Sequence, residues 1–355
     1  ASAYGILDEG NVDPELDPAG DLRGQNVLTR RIPMERLAES FDLTREQVRD
    51  RLARVENVLA SRRSERPSPS LDDKVLSAWN GLMIGAFARG AQVLGDQRYA
   101  SAAVDAASFL EENLWDEKSR RLLRSWRDGN AAIDGFAEDY AFVVQGLLDL
   151  YETTFDLRWL RLARRIQQRQ NDIFWMEDRG YYTLTAGEDE SILVDLPGDT
   201  DSVLPSHNSV SAMNLSRLGQ LTGNDEWISM AGEIMKAFGG TLATRPQTLP
   251  LMVSALSARL TKPKQIIIAG NRSSEDTERL LSLVHERYLP DRILILADGT
   301  ADQDRLSEWV PLLEFVSPIE GRATAYVCEN FVCRLPSNDP QVVAEQLDGA
   351  STPSE

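Results

Sequence analysis

Three short stretches hold the residues whose types and spacing suit chemistry. The first, 71-LDDKVLSAWNGLMIGAFARG-90, sets Asp72, Asp73 and Lys74 ahead of Trp79 and Asn80. Its Val75, Leu76, Ala78, Leu82, Met83, Ala86 and Phe87 recur at helical spacing. The second, 135-GFAEDYA-141, carries Glu138, Asp139 and Tyr140 ahead of an apolar run. The third, 205-PSHNS-209, carries His207 and Asn208 after Ser206, a residue suited to cap a helix. Asp139 or Asp73 could move a proton as general acid or base, and Trp79 and Tyr140 could stack on a sugar face. Asn80, Asn208 and Arg124 could hydrogen-bond hydroxyls. Plainer roles stand beside these. Asp72 and Asp73 suit a helix N-terminus through capping and the helix dipole. Glu138 and Asp139 are adjacent, do not face each other on a helix, and so form no carboxylate dyad. Arg124 and Trp126, in 121-RLLRSWRDG-129, lie on a hairpin and serve either as ligand contacts or as rim packing.

The elements that must position these residues show an internal repeat. The segments 95-GDQRYASAA-103, 155-FDLRWLRLA-163 and 223-GNDEWISMA-231 each have Asp or Asn second, an aromatic fifth and Ala ninth. Each joins one apolar helix to the next, and strand-like pieces around residues 115–129 and 175–187 follow two of them. The unit is a helical hairpin followed by a β-hairpin. Such units must stack to bury their apolar faces, in a ring or an open solenoid. Counting back sixteen residues from Gly95, Phe155 and Gly223 reaches Trp79, Asp139 and His207, with Asn80, Tyr140 and Asn208 next. The repeat thus predicts polar or aromatic residues at one level of three inner helices, converging on a shared cleft.

Before the repeat, Thr44 caps a predicted helix over 45–63, and Ser70 with Asp73 has the spacing of a capping box. After residue 261 the pattern alternates strand and helix, which predicts a small α/β unit with a mainly parallel sheet. His285 is expected on a helix surface there, and the chain beyond Asn338 is expected to fray. The predicted parts are 1–70 (an N-terminal segment with a connecting helix), 71–261 (helical hairpins), 262–338 (the α/β unit) and 339–355 (a flexible tail).

Composition narrows the function. The 355 residues carry a net charge of −18, which argues against a nucleic-acid partner, because phosphate binding needs a basic face. No apolar run approaches the ~20 residues that span a bilayer, so no membrane association is expected. Two cysteines make a reducing cytoplasm the default. Cys328 and Cys333, in 328-CENFVC-333, are read as structural thiols rather than a redox pair, since they lack CxxC spacing and a helix N-terminus. No His/Cys/Glu cluster has ligand spacing, and neither a P-loop nor GxGxxG is present, so no metal and no cofactor are expected. The loop in 269-AGNRSSEDTERL-280 gives a weak anion-binding signal. The opening 1-ASAYGILDEGNVD-13 reads as the middle of a longer protein.

The motifs 71-LDDKVLSAWNGLM-83, 121-RLLRSWRDG-129, 135-GFAEDYAF-142, 205-PSHNSVSAMNLSRL-218 and 325-AYVCENFVCRLPS-337 closely resemble the spermatogenesis-associated protein 20-like family of large thioredoxin-domain-containing proteins. Together they span nearly the whole chain. The resemblance implies a mainly α fold: an incomplete (α/α)6 toroid of the six-hairpin glycosidase type with a small C-terminal α/β unit. It also implies a role in carbohydrate metabolism, as a sugar epimerase or isomerase or as a glycosidase. The family's thioredoxin-like domain and first toroid helices are expected to be missing, which would leave this chain alone inactive. A non-catalytic recognition scaffold for that redox domain is the alternative. The family usually has Gly where this chain has His207, so no catalytic role is carried over to His207.

Overall fold

A computed structural model describes residues 1–186, 197–261, 263–329 and 332–349. The chain divides into two compact units, Ala1–Asp72 and Asp73–Glu355. In the first, α1 (Met34–Phe41) and α2 (Arg45–Ser64) pack through Leu37, Ala38, Val48 and Leu52. Thr44 begins α2 with a reciprocal capping box, its hydroxyl on the Gln47 amide and the Gln47 side chain on the Thr44 amide, as its position predicts.

The second unit opens with a correction. Asp72, Asp73 and Lys74 are not helical; they precede strand β1 (Val75–Leu76), and the helix begins at Ser77. The expected Ser70–Asp73 capping box does not form, because Val75 and Leu76 are drawn into a sheet. The helical hairpins follow: α3 (Ser77–Leu94) with α4 (Gln97–Asn113), then β2 (Trp115–Asp116), β3 (Arg121–Arg127) and β4 (Asn130–Asp134). Next come α5 (Ala137–Thr154) with α6 (Leu157–Phe174), and β5 (Trp175–Met176) with β6 (Tyr181–Tyr182). Then α7 (His207–Thr222) pairs with α8 (Asp225–Ala237), followed by α9 (Gly239–Thr244) and α10 (Pro250–Leu260).

The repeat motif is the hairpin connection itself. Gly95, Phe155 and Gly223 end the inner helices in the left-handed conformation, with φ of 66°, 53° and 65°. The Asp or Asn that follows caps the next helix: Asp96 takes the Arg98 amide, Asp156 the Arg158 amide and Asn224 the Trp227 amide. The ninth-position alanines, Ala103, Ala163 and Ala231, are fully buried. Helices α3, α5, α7 and α10 lie side by side, each packed on the next, with α4, α6 and α8 behind them. Neighbours α3 and α5 approach backbone to backbone: a Cβ on Gly81 would lie 2.5 Å from the Phe142 carbonyl, and one on Gly146 would lie 2.3 Å from the Gly81 oxygen. The fold is mainly α, built of successive helical hairpins whose first helices pack side by side.

A small α/β layer completes this unit: β7 (Lys264–Ala269), α11 (Glu275–His285), β8 (Ile293–Ala297), α12 (Ala301–Ser307), β9 (Thr324–Glu329), β10 (Val332–Cys333) and α13 (Pro340–Asp348). Three expectations fail here. The sheet, in order β10-β9-β7-β8, has one parallel pair, β7–β8; β9 runs antiparallel to both its neighbours, so the sheet is mainly antiparallel. Cys328 and Cys333 face each other across β9 and β10 and form a disulfide rather than two thiols. The chain beyond Asn338 does not fray at once: Asp339 caps α13, Pro340 starts it, and Val343 and Leu347 are buried against the sheet.

Candidate functional site

The first turns of α3, α5 and α7 bring the three stretches to one end of the inner helices, and most of their polar side chains answer backbone groups. Asp139 is the third residue of α5 and fully buried. Its Oδ2 accepts from the Phe136 amide and from Arg124 Nη1, both at 2.9 Å, and its Oδ1 accepts from the Ala78 amide at 3.1 Å. One carboxylate therefore caps its own helix and also α3, whose N-cap residue Leu76 supplies no side-chain cap. Burial pushes the Asp139 carboxyl above its ordinary range, against the pull of the Phe136 amide, Arg124 and the Ala78 amide. All three of these partners are donors, so the ionised acceptor is the form that completes the arrangement. Arg124 also bonds Glu138 at 2.9 Å and lies 4.5 Å over the Phe136 ring.

Tyr140 and Asn208, paired by the repeat, show what this level does. Tyr140 Oη accepts the Leu122 amide of β3 at 2.9 Å. Asn208 Oδ1 accepts the Tyr182 amide of β6 at 2.9 Å, while its Nδ2 donates to the carbonyls of Tyr182 and Pro197. Leu122 and Tyr182 hold equivalent places, each opposite the tryptophan of the preceding strand, Trp115 or Trp175. Two inner helices thus grip two β-hairpins at the same backbone site.

The other expected residues are scattered around this end. His207 Nε2 lies 3.0 Å from the Tyr182 carbonyl oxygen, and Ser206 caps α7 through the amides of Asn208 and Ser209. Asn80 turns back to the Leu76 carbonyl at 2.9 Å. Trp126 packs edge-on against Phe109. Asp73 pairs with Arg127 at 2.7 Å, both side chains about half exposed. Trp79 is 60% exposed. Asp139, Tyr140 and Asn208 therefore point into protein rather than into an open cleft. Where α3, α5, α7 and α10 face one another, an apolar cluster forms from Ala78, Ala141, Phe142 and Val210, with Leu82, Leu204 and Leu251 against it. Among the described residues no group of three or more His, Cys, Asp and Glu side chains could hold a metal.

A buried charge network toward the other end of the inner helices escaped the sequence reading. Asp149 of α5 accepts both Arg89 of α3, in a two-point contact at 2.9 and 3.0 Å, and Arg217 of α7 at 2.8 Å. Arg217 also pairs with Glu152 at 3.3 Å. Burial would raise the Asp149 carboxyl, but the two guanidinium groups outweigh it and hold it below the ordinary range. Its signal was an acid inside the apolar run 141-AFVVQGLLDLYE-152. His285 is another correction: it is part-buried rather than on the surface, with Arg292 Nη2 3.5 Å from its Nδ1.

These features define a mainly α protein of stacked helical hairpins, whose inner-helix ends are held together by polar side chains. No protein-family model matches the chain. Over 346 residues it is 42% identical to spermatogenesis-associated protein 20 of Homo sapiens and 40% identical to that of Rattus norvegicus, covering 95% of this chain and 44% of each relative. It is thus homologous to part of spermatogenesis-associated protein 20, as its motifs indicate, and it spans under half the length of these curated relatives. Among solved structures, it is similar to cellobiose 2-epimerase from Spirochaeta thermophila (17% identity, 50% of this chain and 45% of that one, TM-score 0.41). It is also similar to a GH76 α-mannanase from Bacteroides thetaiotaomicron (12% identity, 61% and 59%, TM-score 0.42).

Proposed function

We propose that this chain is a non-catalytic recognition scaffold within a longer toroid protein. One observation carries the reading: at the inner-helix ends, where the sequence sets its candidate site, Asp139, Tyr140 and Asn208 are engaged by backbone groups, and the other acid–base candidate, Asp73, is paired with Arg127. A general acid or base needs a carboxylate free to reach substrate, and Asp139 has none to offer while it caps two helices. The thioredoxin-like domain implied by the family resemblance is the partner this reading assigns. The test is a panel of monosaccharides and disaccharides incubated with the chain, followed by product analysis and thermal shift. Neither turnover nor a rise in Tm is expected. Epimerised or hydrolysed sugar in the wild type, abolished by Asp139→Asn in a variant that stays folded, overturns it.

A second reading, carbohydrate binding, rests on a different observation. Trp79 is largely exposed at this end, and Arg124 and Glu138 each keep more than a quarter of their side-chain surface exposed. An exposed ring and a part-exposed guanidinium–carboxylate pair at the same end of the inner helices suit a sugar, whose apolar face stacks and whose hydroxyls both donate and accept. Under this reading the sugar panel raises Tm, because a ligand that binds only the native state must stabilise it, and Trp79→Ala removes the rise.

A further inference from the structure

We propose that the outer face of α6 is a binding site for a compact polyanion carrying two or more neighbouring phosphoryl groups. The chain has 56 acidic residues against 38 basic ones, yet five arginines line a single groove of about 600 Å³, a size typical of small-molecule sites. Arg158, Arg161 and Arg165 recur at spacings of three and four on α6 and so share one face. Arg164 joins them with its guanidinium 4.5 Å over the Trp309 ring, and Arg120 reaches the groove from the turn between β2 and β3.

The acids nearby leave this charge only partly balanced. Glu111 bonds Arg158 at 2.6 Å and Arg165 at 3.4 Å, and Glu117 takes Arg165 at 2.6 Å. The Arg120 and Arg161 side chains have no ion pair or hydrogen bond among the described residues, and the Arg164 side chain has only its stacking contact. Arg161 and Arg164 are also part-buried. A guanidinium withdrawn from water without a carboxylate is costly unless an anion completes it.

Arg120 gives independent support. It sits at φ 53° in the left-handed region, and the equivalent turn of the next repeat, between β5 and β6, has Gly180 at φ 69°. Glycine is the residue that adopts this conformation without strain. The sequence instead keeps an arginine there, lining the groove.

The geometry selects the ligand. From Arg158 to Arg165 the helix rises about 10 Å, too far for one phosphate to engage the whole set but within reach of two or three linked ones. Guanidinium groups bind phosphoryl oxygens in two-point contacts. The strongly acidic chain opposes a long nucleic acid.

The experiment is calorimetric titration of the chain at about 0.1 M salt with inorganic tripolyphosphate, ATP and orthophosphate. Saturable tripolyphosphate binding is expected, at least tenfold tighter than orthophosphate and weakening as salt rises. Equal affinity for ATP assigns the site to the phosphate chain alone, and tighter ATP binding adds a contact from the organic part; both uphold the proposal. Arg161→Gln should weaken binding about tenfold. Arg120→Gly should weaken it while leaving Tm unchanged or higher, because it relieves the backbone, which separates a ligand contact from a structural role. Arg51→Gln, in the other compact unit, is the control. No saturable binding at millimolar tripolyphosphate, equal affinity for orthophosphate, or an equal loss in the Arg51 variant overturns the proposal.

Discussion

At the scale of the residue, Asp139 is the sharpest case. Its carboxylate caps two helices and pairs with Arg124, so Asp139→Asn should cost about 2–4 kcal/mol, because it weakens two caps and removes the buried one of the two carboxylates that balance a part-buried guanidinium. Urea unfolding checks this, and a loss below about 0.5 kcal/mol would contradict the structural role. His285 gives a pH signature. Burial, with the charge of Arg292 adding to it, lowers its pKa to about 4, against roughly 6.5 in an unfolded chain. Between these values the unfolded state holds a proton that the native state does not, so stability falls as pH drops from about 6.5 toward 4. His285→Gln should flatten that part of the stability–pH curve. An unchanged slope would show that other groups carry it. Residue types were legible in the sequence, but orientation was not. The sixteen-residue count placed Tyr140 and Asn208 at one level correctly, yet nothing in their identity says that they turn toward β3 and β6 rather than toward an opening.

At the scale of the element, the connections were the most legible part. A left-handed cap, an Asp or Asn N-cap and a buried alanine are local requirements, so each leaves a residue type at a fixed offset. The start of α3 was not legible because its cap is tertiary: the acid that satisfies the Ala78 amide is Asp139, 61 residues away. The sheet was misread for a similar reason. A short apolar run such as 264-KQIIIAG-270 shows burial but not the direction of its neighbour. The α3–α5 contact was hidden in glycines that read as weak helix formers. Gly146→Ala would improve intrinsic helix propensity by about 1 kcal/mol. The added Cβ would meet the Gly81 oxygen at 2.3 Å, so the helices must separate, and overpacking of this kind costs about 1–3 kcal/mol or more. The expected outcome is a net loss in Tm. A gain would mean that the two helices are not held this close in solution.

At the scale of the whole molecule, α3 keeps an exposed apolar flank. Trp79 and Met83 are 60% and 48% exposed. At 100° per residue both lie 200° around the helix from Gly81, on the side away from α5. Val93 and Leu94 continue the exposed apolar surface at the far end of α3. A helix that is apolar on both flanks belongs between two neighbours, and exposed apolar patches of this kind mark interaction surfaces. We infer that the additional length of the relatives supplies that neighbour, since this chain spans 44% of them. The double variant Trp79→Lys/Met83→Lys separates the possibilities. Both positions are exposed in this chain, so its unfolding free energy should change by less than about 1 kcal/mol, two surface substitutions of roughly 0.5 kcal/mol each. Any self-association seen by sedimentation velocity should fall, because the added charges oppose apolar contact. In the longer protein the same pair should lower Tm by several degrees, since there the charges would be forced into a helix–helix contact. Equal, small effects in both proteins would show that the flank stays open in each, and Trp79 would then be free for the ligand contact that the carbohydrate reading assigns to it.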